Sequence, residues 1–383
     1  MITKSKNQSS LAPTLMVYIV MGFVDIIGVS TGYVKNDFEL DDKMAQLLPS
    51  LVFFWFFIFS VPAGILLERF GKKKILNIGM LVSGLSMIIP ILIYSLESVI
   101  CAFVLLGIGN TVVQVAANPL LYDVVSKDKF SSFMSLSQFI KATCSLLGPI
   151  IAVFMSVQFG NWKLVFLVYA FITIINILWL SLTPIKETKS VDRVATFSSS
   201  FSLLKKRNIL LLVIGIFVVV GAEVGMKTNI ANLLQGVHNL SLDNASLAIS
   251  IFFSAQMLGR FVGAISLRFV VVKYFFRIST TLSLIGLFMV LFIPGIWPAR
   301  IGIFVIGIGT SNIFPLIFSI AAHKLPARVN EISGLMIMAI VGGAIIPPFM
   351  GLISSTIGIL QSFYVLLIAF GYLLTLSFYS KTS

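Results

Sequence analysis

Apolar positions along the chain fall into long runs, with none of the strict alternation of a half-buried strand. A helix needs about 20 largely apolar residues to cross a hydrocarbon core. Breaking the chain at charge clusters and turn residues gives twelve such segments. They cover 11–34, 45–68, 75–95, 98–124, 131–157, 163–184, 209–235, 244–270, 273–294, 299–322, 331–357 and 360–380. The longest connection, Pro184 to Asn208, is rich in Lys, Ser and Thr and divides the spans six and six. The pattern predicts an all-α integral membrane protein with one bundle over 1–184, a linker over 185–208 and a second bundle over 209–383.

Composition sharpens this. Of 383 residues, 58% are hydrophobic and 11% charged, against roughly half and a quarter in a soluble domain. A soluble enzyme, a disordered chain and a disulfide scaffold are excluded. The net charge of +13 does not indicate nucleic acid, because the basic residues sit in short loops between spans. With a cytoplasmic N-terminus, the inner segments carry Lys4, Lys6, Arg69, Lys72, Lys73, Lys74, Lys127, Lys129, Lys186, Lys189, Arg193, Lys205, Lys206, Arg207, Arg268, Lys273, Arg277, Lys324, Arg328 and Lys381. The outer ones carry only Lys35, Lys43, Lys163 and Arg300. The positive-inside rule then places both termini in the cytoplasm, in a cell (inner) membrane. Asp37, Glu39, Asp41 and Asp42 read as a solvated acidic outer turn, and Trp162 and Trp297 as anchors in the interfacial belt. The first span is too long for a signal-peptide core and reads as an uncleaved helix. Cys101 and Cys144 lie in apolar segments and suggest neither a disulfide nor a metal site.

The halves echo each other at an offset of about 200 residues. Gly107-Ile108-Gly109 returns as Gly307-Ile308-Gly309, and Gly64 with Arg69-Phe70 returns as Gly263 with Arg268-Phe269. Pro149 has its counterpart at Pro347-Pro348. Such parallel six-helix repeats are the architecture of major facilitator transporters.

The loop after the second span runs Gly64, Leu66, Glu68, Arg69, Gly71, Lys72, Lys73, Lys74. It resembles the cytoplasmic signature G-x-L-x-D-R-x-G-R-R of the major facilitator superfamily, with Glu for Asp and Lys for Arg. The glycine permits close approach of helices 2 and 11, and the acid can pair with a base or a helix end. Gln114 to Pro119 (Q-V-A-A-N-P), Gly221-Ala222-Glu223, Gly259-Arg260-Phe261, Phe314-Pro315 and Gly342-Gly343 narrow the resemblance to the fucose:proton symporter family, which includes glucose/galactose transporters. The resemblance implies a twelve-helix fold of two pseudo-symmetric six-helix bundles, working as a monomer among membrane lipids. It implies that a carboxylate in helix 1 and a polar residue before A-A-N-P line the central cavity. Asp25 and Gln114 match those positions. Gln114 stands where proton-coupled fucose carriers have Glu, so the coupling ion is either H+ or Na+. Val24 and Lys141 replace asparagines of the family.

A charge at mid-membrane costs at least ~2.5 kcal/mol, which makes each one a functional candidate. The candidates are Asp25, Lys141, Glu223, Lys227 and Arg260, joined at similar depth by the amides Gln114, Asn118, Gln138 and Asn312. Asp25 and Glu223 are the candidate coupling groups. Asp25, Gln114, Asn118, Gln138, Lys141, Glu223, Lys227 and Asn312 are the candidate substrate contacts, because amides suit vicinal hydroxyls. Gly64, Glu68, Arg69, Gly71, Arg260 and Arg268 are assigned to conformational change. Glu223 and Lys227, four apart, either neutralise each other or act on substrate. Three bases against two acids keep an anionic sugar, a uronate or sialic acid, open beside a neutral hexose or fucose. Pro119, Pro149, Pro315, Pro347 and Pro348 are expected to bend helices and free backbone carbonyls.

An efflux carrier for apolar compounds would need a greasier cavity. No zinc-protease, nucleophile-elbow or P-loop motif is present, and His238 and His323 fall in predicted loops. No enzyme activity, cofactor, metal or nucleic-acid partner is expected. The expectation is ion-coupled import of a monosaccharide by alternating access.

Overall fold

The computed structural model describes residues 8–40, 42–188 and 195–379. Lys4, Lys6, Asp41, Lys189, Arg193 and Lys381 lie outside them. Helix is the regular structure of the described residues, and twelve helices are long and apolar enough to cross a membrane. Numbered in chain order they are α1 Ser9–Asp37, α2 Val52–Phe70, α3 Lys72–Leu92, α4 Leu96–Val124, α5 Lys127–Phe159, α6 Leu164–Leu182, α7 Arg207–His238, α8 Leu247–Ser266, α9 Val272–Phe292, α10 Ile296–Lys324, α11 Pro326–Ile357 and α12 Ile359–Tyr379. The twelve expected spans are all there. Several helices run past the apolar run that reveals them, because a helix continues into water wherever its backbone bonds and caps allow. His238 and His323 accordingly lie inside helices, not loops.

The chain forms two compact units. One comprises 1–130, 137–202 and 327–338, the other 131–136, 203–326 and 339–383. Each builds its core on glycine-mediated helix contacts at the same places, 200 residues apart. A Cβ on Gly109 would stand 2.5 Å from Ser83 Oγ and 2.7 Å from Ser83 N. On Gly309 it would stand 2.5 Å from Ser283 Oγ and 2.6 Å from Ser283 N. Gly107 faces Val52 and Trp55, and Gly307 faces Phe252 and Ala255. Lipid supplies no hydrophobic drive between helices, so close backbone approach does the work. Gly109→Ala and Gly309→Ala are each expected to destabilise by about 1–3 kcal/mol. Gly371→Ala, with nothing within 4 Å of the new methyl, should be neutral in thermal unfolding of the purified protein.

Four membrane-length helices are interrupted, among them α12, which breaks at Phe363 between Ile359–Ser362 and Tyr364–Tyr379. α1 winds into a 3-10 turn at Phe23–Asp25, α10 breaks between Thr310 and Ile313, and α11 winds into a 3-10 turn at Ala339–Val341. α4 and α5 continue as helix through Pro119 and Pro149. The proline effect appears at the carbonyl each ring leaves unbonded, four residues earlier. Ser333 Oγ donates to Val115 O at 2.7 Å, the carbonyl freed by Pro119. Arg260 Nε reaches Ser311 O at 3.4 Å, the carbonyl freed by Pro315.

Candidate functional site

In the first unit, three helices present polar residues at helical spacing. α1 carries Tyr18 and Asp25, α4 carries Asn110, Gln114 and Asn118, and α5 carries Ser137, Gln138, Lys141 and Ser145. Residues four and seven or eight apart share one helix face, so these stripes meet in successive rungs. In the first rung, Tyr18 Oη donates to Asn118 Oδ1 at 2.8 Å, with Ser137 as a second partner of the phenol. In the next, Gln114 Nε2 donates to Asn110 Oδ1 at 2.8 Å, and Asn110 Nδ2 donates to the Met21 carbonyl at 3.2 Å. In the third, Ser145 Oγ donates to Asp25 Oδ2 and also lies 3.0 Å from the Lys141 carbonyl.

Burial sorts these groups. Gln114, Asn118 and Gln138 are buried, and the first two spend amide capacity on the ladder itself. Asp25 is exposed, where the sequence suggested a carboxylate sunk in low dielectric. Lys141 and Ser145 are half-buried beside it. The 3-10 turn ends at Asp25, and Phe23 in the same turn stacks on Tyr169, ring centroids 3.9 Å apart. Gly22 lets α1 touch α5: a Cβ there would lie 2.7 Å from Lys141 O and 3.0 Å from Cys144 Cβ. A carboxylate on a wound turn, braced by an aromatic stack and a hydroxyl, is a fixed acceptor for a proton, a cation or a sugar hydroxyl.

In the second unit, Glu223 and Lys227 are half-buried on α7. Lys227 Nζ lies 5.0 Å from the centre of the Phe253 ring. Asn312 is buried in the break of α10, where its Nδ2 donates to Gly259 O at 2.6 Å and to Ser311 Oγ at 2.9 Å. Gly263 makes room for that side chain. Asn312 and Arg260 together clasp α8 to α10, which occupies the Asn312 amide donors expected for substrate.

The motif after α2 is built as a cluster. A Cβ on Gly64 would stand 2.9 Å from Asn330 O, and one on Gly334 2.9 Å from Ser60 O, so α2 and the start of α11 meet glycine to glycine. Glu68 accepts from Asn330 Nδ2. Gly71 takes φ +90, a conformation suited to glycine, and turns the chain so that Glu187 caps α3 through Lys72 N and Lys73 N, at 2.5 and 3.1 Å. A carboxylate there also complements the helix dipole. Lys73 Nζ caps the end of α6 at Ser181 O and Thr183 O, 2.9 and 2.7 Å. Arg69 and Arg268 are exposed.

At the far end of α1, Asp37 is no free solvated acid. It accepts from Tyr94 Oη at 2.5 Å and from Trp162 Nε1 at 3.1 Å. Burial and then the Asp37 carboxylate push the Tyr94 phenol up, so it remains a donor at physiological pH. Lys163 Nζ sits 3.7 Å above the Tyr94 ring. Trp162 is 7% exposed and stacks on Tyr33, so it is a core residue and not a belt anchor, whereas Trp297 is 67% exposed.

The sequence reading missed Tyr18, Asn110 and Ser145. The available signal was spacing: Tyr18 lies seven residues before Asp25, and Asn110 and Ser145 lie one turn from Gln114 and Lys141.

Comparison with known proteins completes the picture. Residues 14–339 match the family model described as Major Facilitator Superfamily. A glucose/galactose transporter of Brucella abortus is 27% identical over 95% of this chain and 92% of its own length. A putative glucose/galactose transporter of Helicobacter pylori is 24% identical over 98% and 96%. Among solved structures, FucP, a major facilitator transporter in its outward conformation, superposes with a TM-score of 0.85 at 18% identity, covering 98% of each chain. The proton:xylose symporter XylE gives 0.74 at 13% identity, covering 98% of this chain and 95% of its own.

Proposed function

The chain belongs to the major facilitator superfamily, and from that premise we propose that it imports a monosaccharide, a hexose or a fucose-like sugar, by ion-coupled alternating access. The bundles over 1–184 and 209–383 are the two repeats whose relative motion gives alternating access. The observation that carries this reading is the polar ladder of the first unit. One exposed carboxylate, Asp25, stands on a face otherwise furnished with amides and hydroxyls. That is a surface for vicinal hydroxyls with a single ionic switch. The full-length similarity to proteins named glucose/galactose transporters supports the substrate class.

The coupling ion is H+, taken up at Asp25. Protonation removes a charge from the polar face and changes which conformation is lower in free energy. A ligand shifts such an equilibrium only through its differential affinity for the two states. Gln114 cannot titrate, so Asp25 carries the coupling without a second carboxylate in α4. Glu223, half-buried in the other unit, is a further sugar contact or a cation site. The protein works as a monomer in the cytoplasmic membrane, with both termini inside. Lys141, half-buried next to the carboxylate, favours a second reading, an anionic sugar.

Ligands that bind the folded state raise its melting temperature by mass action, by about 2.7 kcal/mol at a hundred times the dissociation constant. Glucose, galactose or fucose is expected to stabilise the purified protein, and glucuronate and sialic acid are not. A shift with the acids alone would replace the neutral sugar by an anionic one and make Lys141 and Lys227 its contacts. A shift that needs sodium would replace the proton. No shift with any sugar would remove the reading.

A further inference from the structure

The ladder contains a group that the coupling reading does not use. Ser145 Oγ has two acceptors, Asp25 Oδ2 on α1 and the carbonyl of Lys141 one turn back on its own helix, at 3.0 Å. A serine hydroxyl has one proton and two lone pairs, so it cannot donate fully to both. We propose that Ser145 is the positioning residue of Asp25, a hydroxyl rotor that keeps the carboxyl group hydrogen-bonded in both of its protonation states. The proposal rests on Asp25 being the coupling group.

The chemistry balances with one proton. While Asp25 is ionised it can only accept, and Ser145 turns its O–H toward Oδ2. When Asp25 takes a proton from the aqueous side, its new O–H becomes a donor. Ser145 Oγ accepts that bond and swings its own proton to the Lys141 carbonyl, which is fixed in the helix and always available. The half-buried hydroxyl has a protein acceptor in either state, and the exposed carboxyl group keeps one fixed partner whether it is ionised or protonated. Geometry holds the rotor in register: Gly22 sets the spacing of the two helices, and the Phe23–Tyr169 stack fixes the turn that carries Asp25. The other ionisable side chains on the elements packed against the carboxylate are Tyr169 of α6 and Cys144 and Lys141 of α5. Lys141 contributes its backbone to this arrangement.

The test compares wild type, Ser145→Ala, Ser145→Thr and Asp25→Asn in proteoliposomes, with labelled galactose and labelled glucose as the probes. Two quantities are read: accumulation driven by an inward proton gradient, and exchange with no gradient imposed. Ser145→Ala should lose accumulation by about ten-fold or more, the scale of a hydrogen bond to a charged group, a larger factor than its loss of exchange, which needs the polar face but no proton. Ser145→Thr, which keeps the hydroxyl, should restore accumulation. Full accumulation by Ser145→Ala overturns the proposal. So does parallel loss of both activities in the Ala and Thr variants, which would mark a packing role. Failure of the underlying reading looks different: Asp25→Asn would then accumulate sugar like the wild type, or the wild type would accumulate neither probe.

Discussion

Asp25→Asn is expected to abolish concentrative sugar uptake and leave part of the exchange activity. The substitution keeps the size of the side chain and its ability to accept from Ser145, and removes the charge change. Without that change, binding a proton no longer separates the free energies of the two conformations. Gradient-driven accumulation should fall to simple equilibration in proteoliposomes, while sugar still crosses by exchange. The effect is large because no neighbour can substitute: the residue at the corresponding position of α4 is an amide, Gln114, already bonded to Asn110. Wild-type accumulation by the variant would end the coupling role of Asp25.

Removing one partner of the Lys72–Asp123 pair should produce the largest stability loss. The two side chains are 6% and 2% exposed, and Asp123 also accepts from Thr188 N at 3.2 Å. Breaking a buried pair from one side leaves an uncompensated charge and costs about 3–5 kcal/mol. Lys72→Met and Asp123→Leu are each expected to lower thermal stability by that amount. The double variant should recover most of it, since a buried pair exchanged for apolar groups is often neutral. Additive losses in the double variant would show that the two residues stabilise independently.

The architecture was legible because its causes are one-dimensional. Lipid demands long apolar runs, and twelve of them can be counted without knowing what touches what. The repeat was legible for the same reason. Gly107, Gly109, Gly307 and Gly309 mark the same close contacts at the same offset, so the pairing is written in residues that have no alternative role. Asp25 was legible because a charge in a span is rare.

The rest depended on partners from other helices. The 3-10 turn at Phe23–Asp25 contains no glycine or proline; it is braced at Phe23 by Tyr169, 146 positions further along. Tyr18, Asn110 and Ser145 are neutral residues of kinds found all along the spans, and their importance lies in what they face. Trp162 was misread from its position at a span end, because nothing in the sequence announces that Tyr33 and Asp37 cover it. Arg260 and Ser333 show the same limit. A proline in a span tells the reader that a carbonyl is free, and only the fold tells which side chain takes it.

The most direct test of the central claim is uptake of labelled galactose and glucose into proteoliposomes of the purified protein, with and without an inward proton gradient and in the absence of sodium. The account predicts accumulation above the external concentration when the gradient is imposed, and collapse of that accumulation when a protonophore is added. Uptake that never exceeds equilibration, or that concentrates sugar only when sodium is supplied, would contradict it.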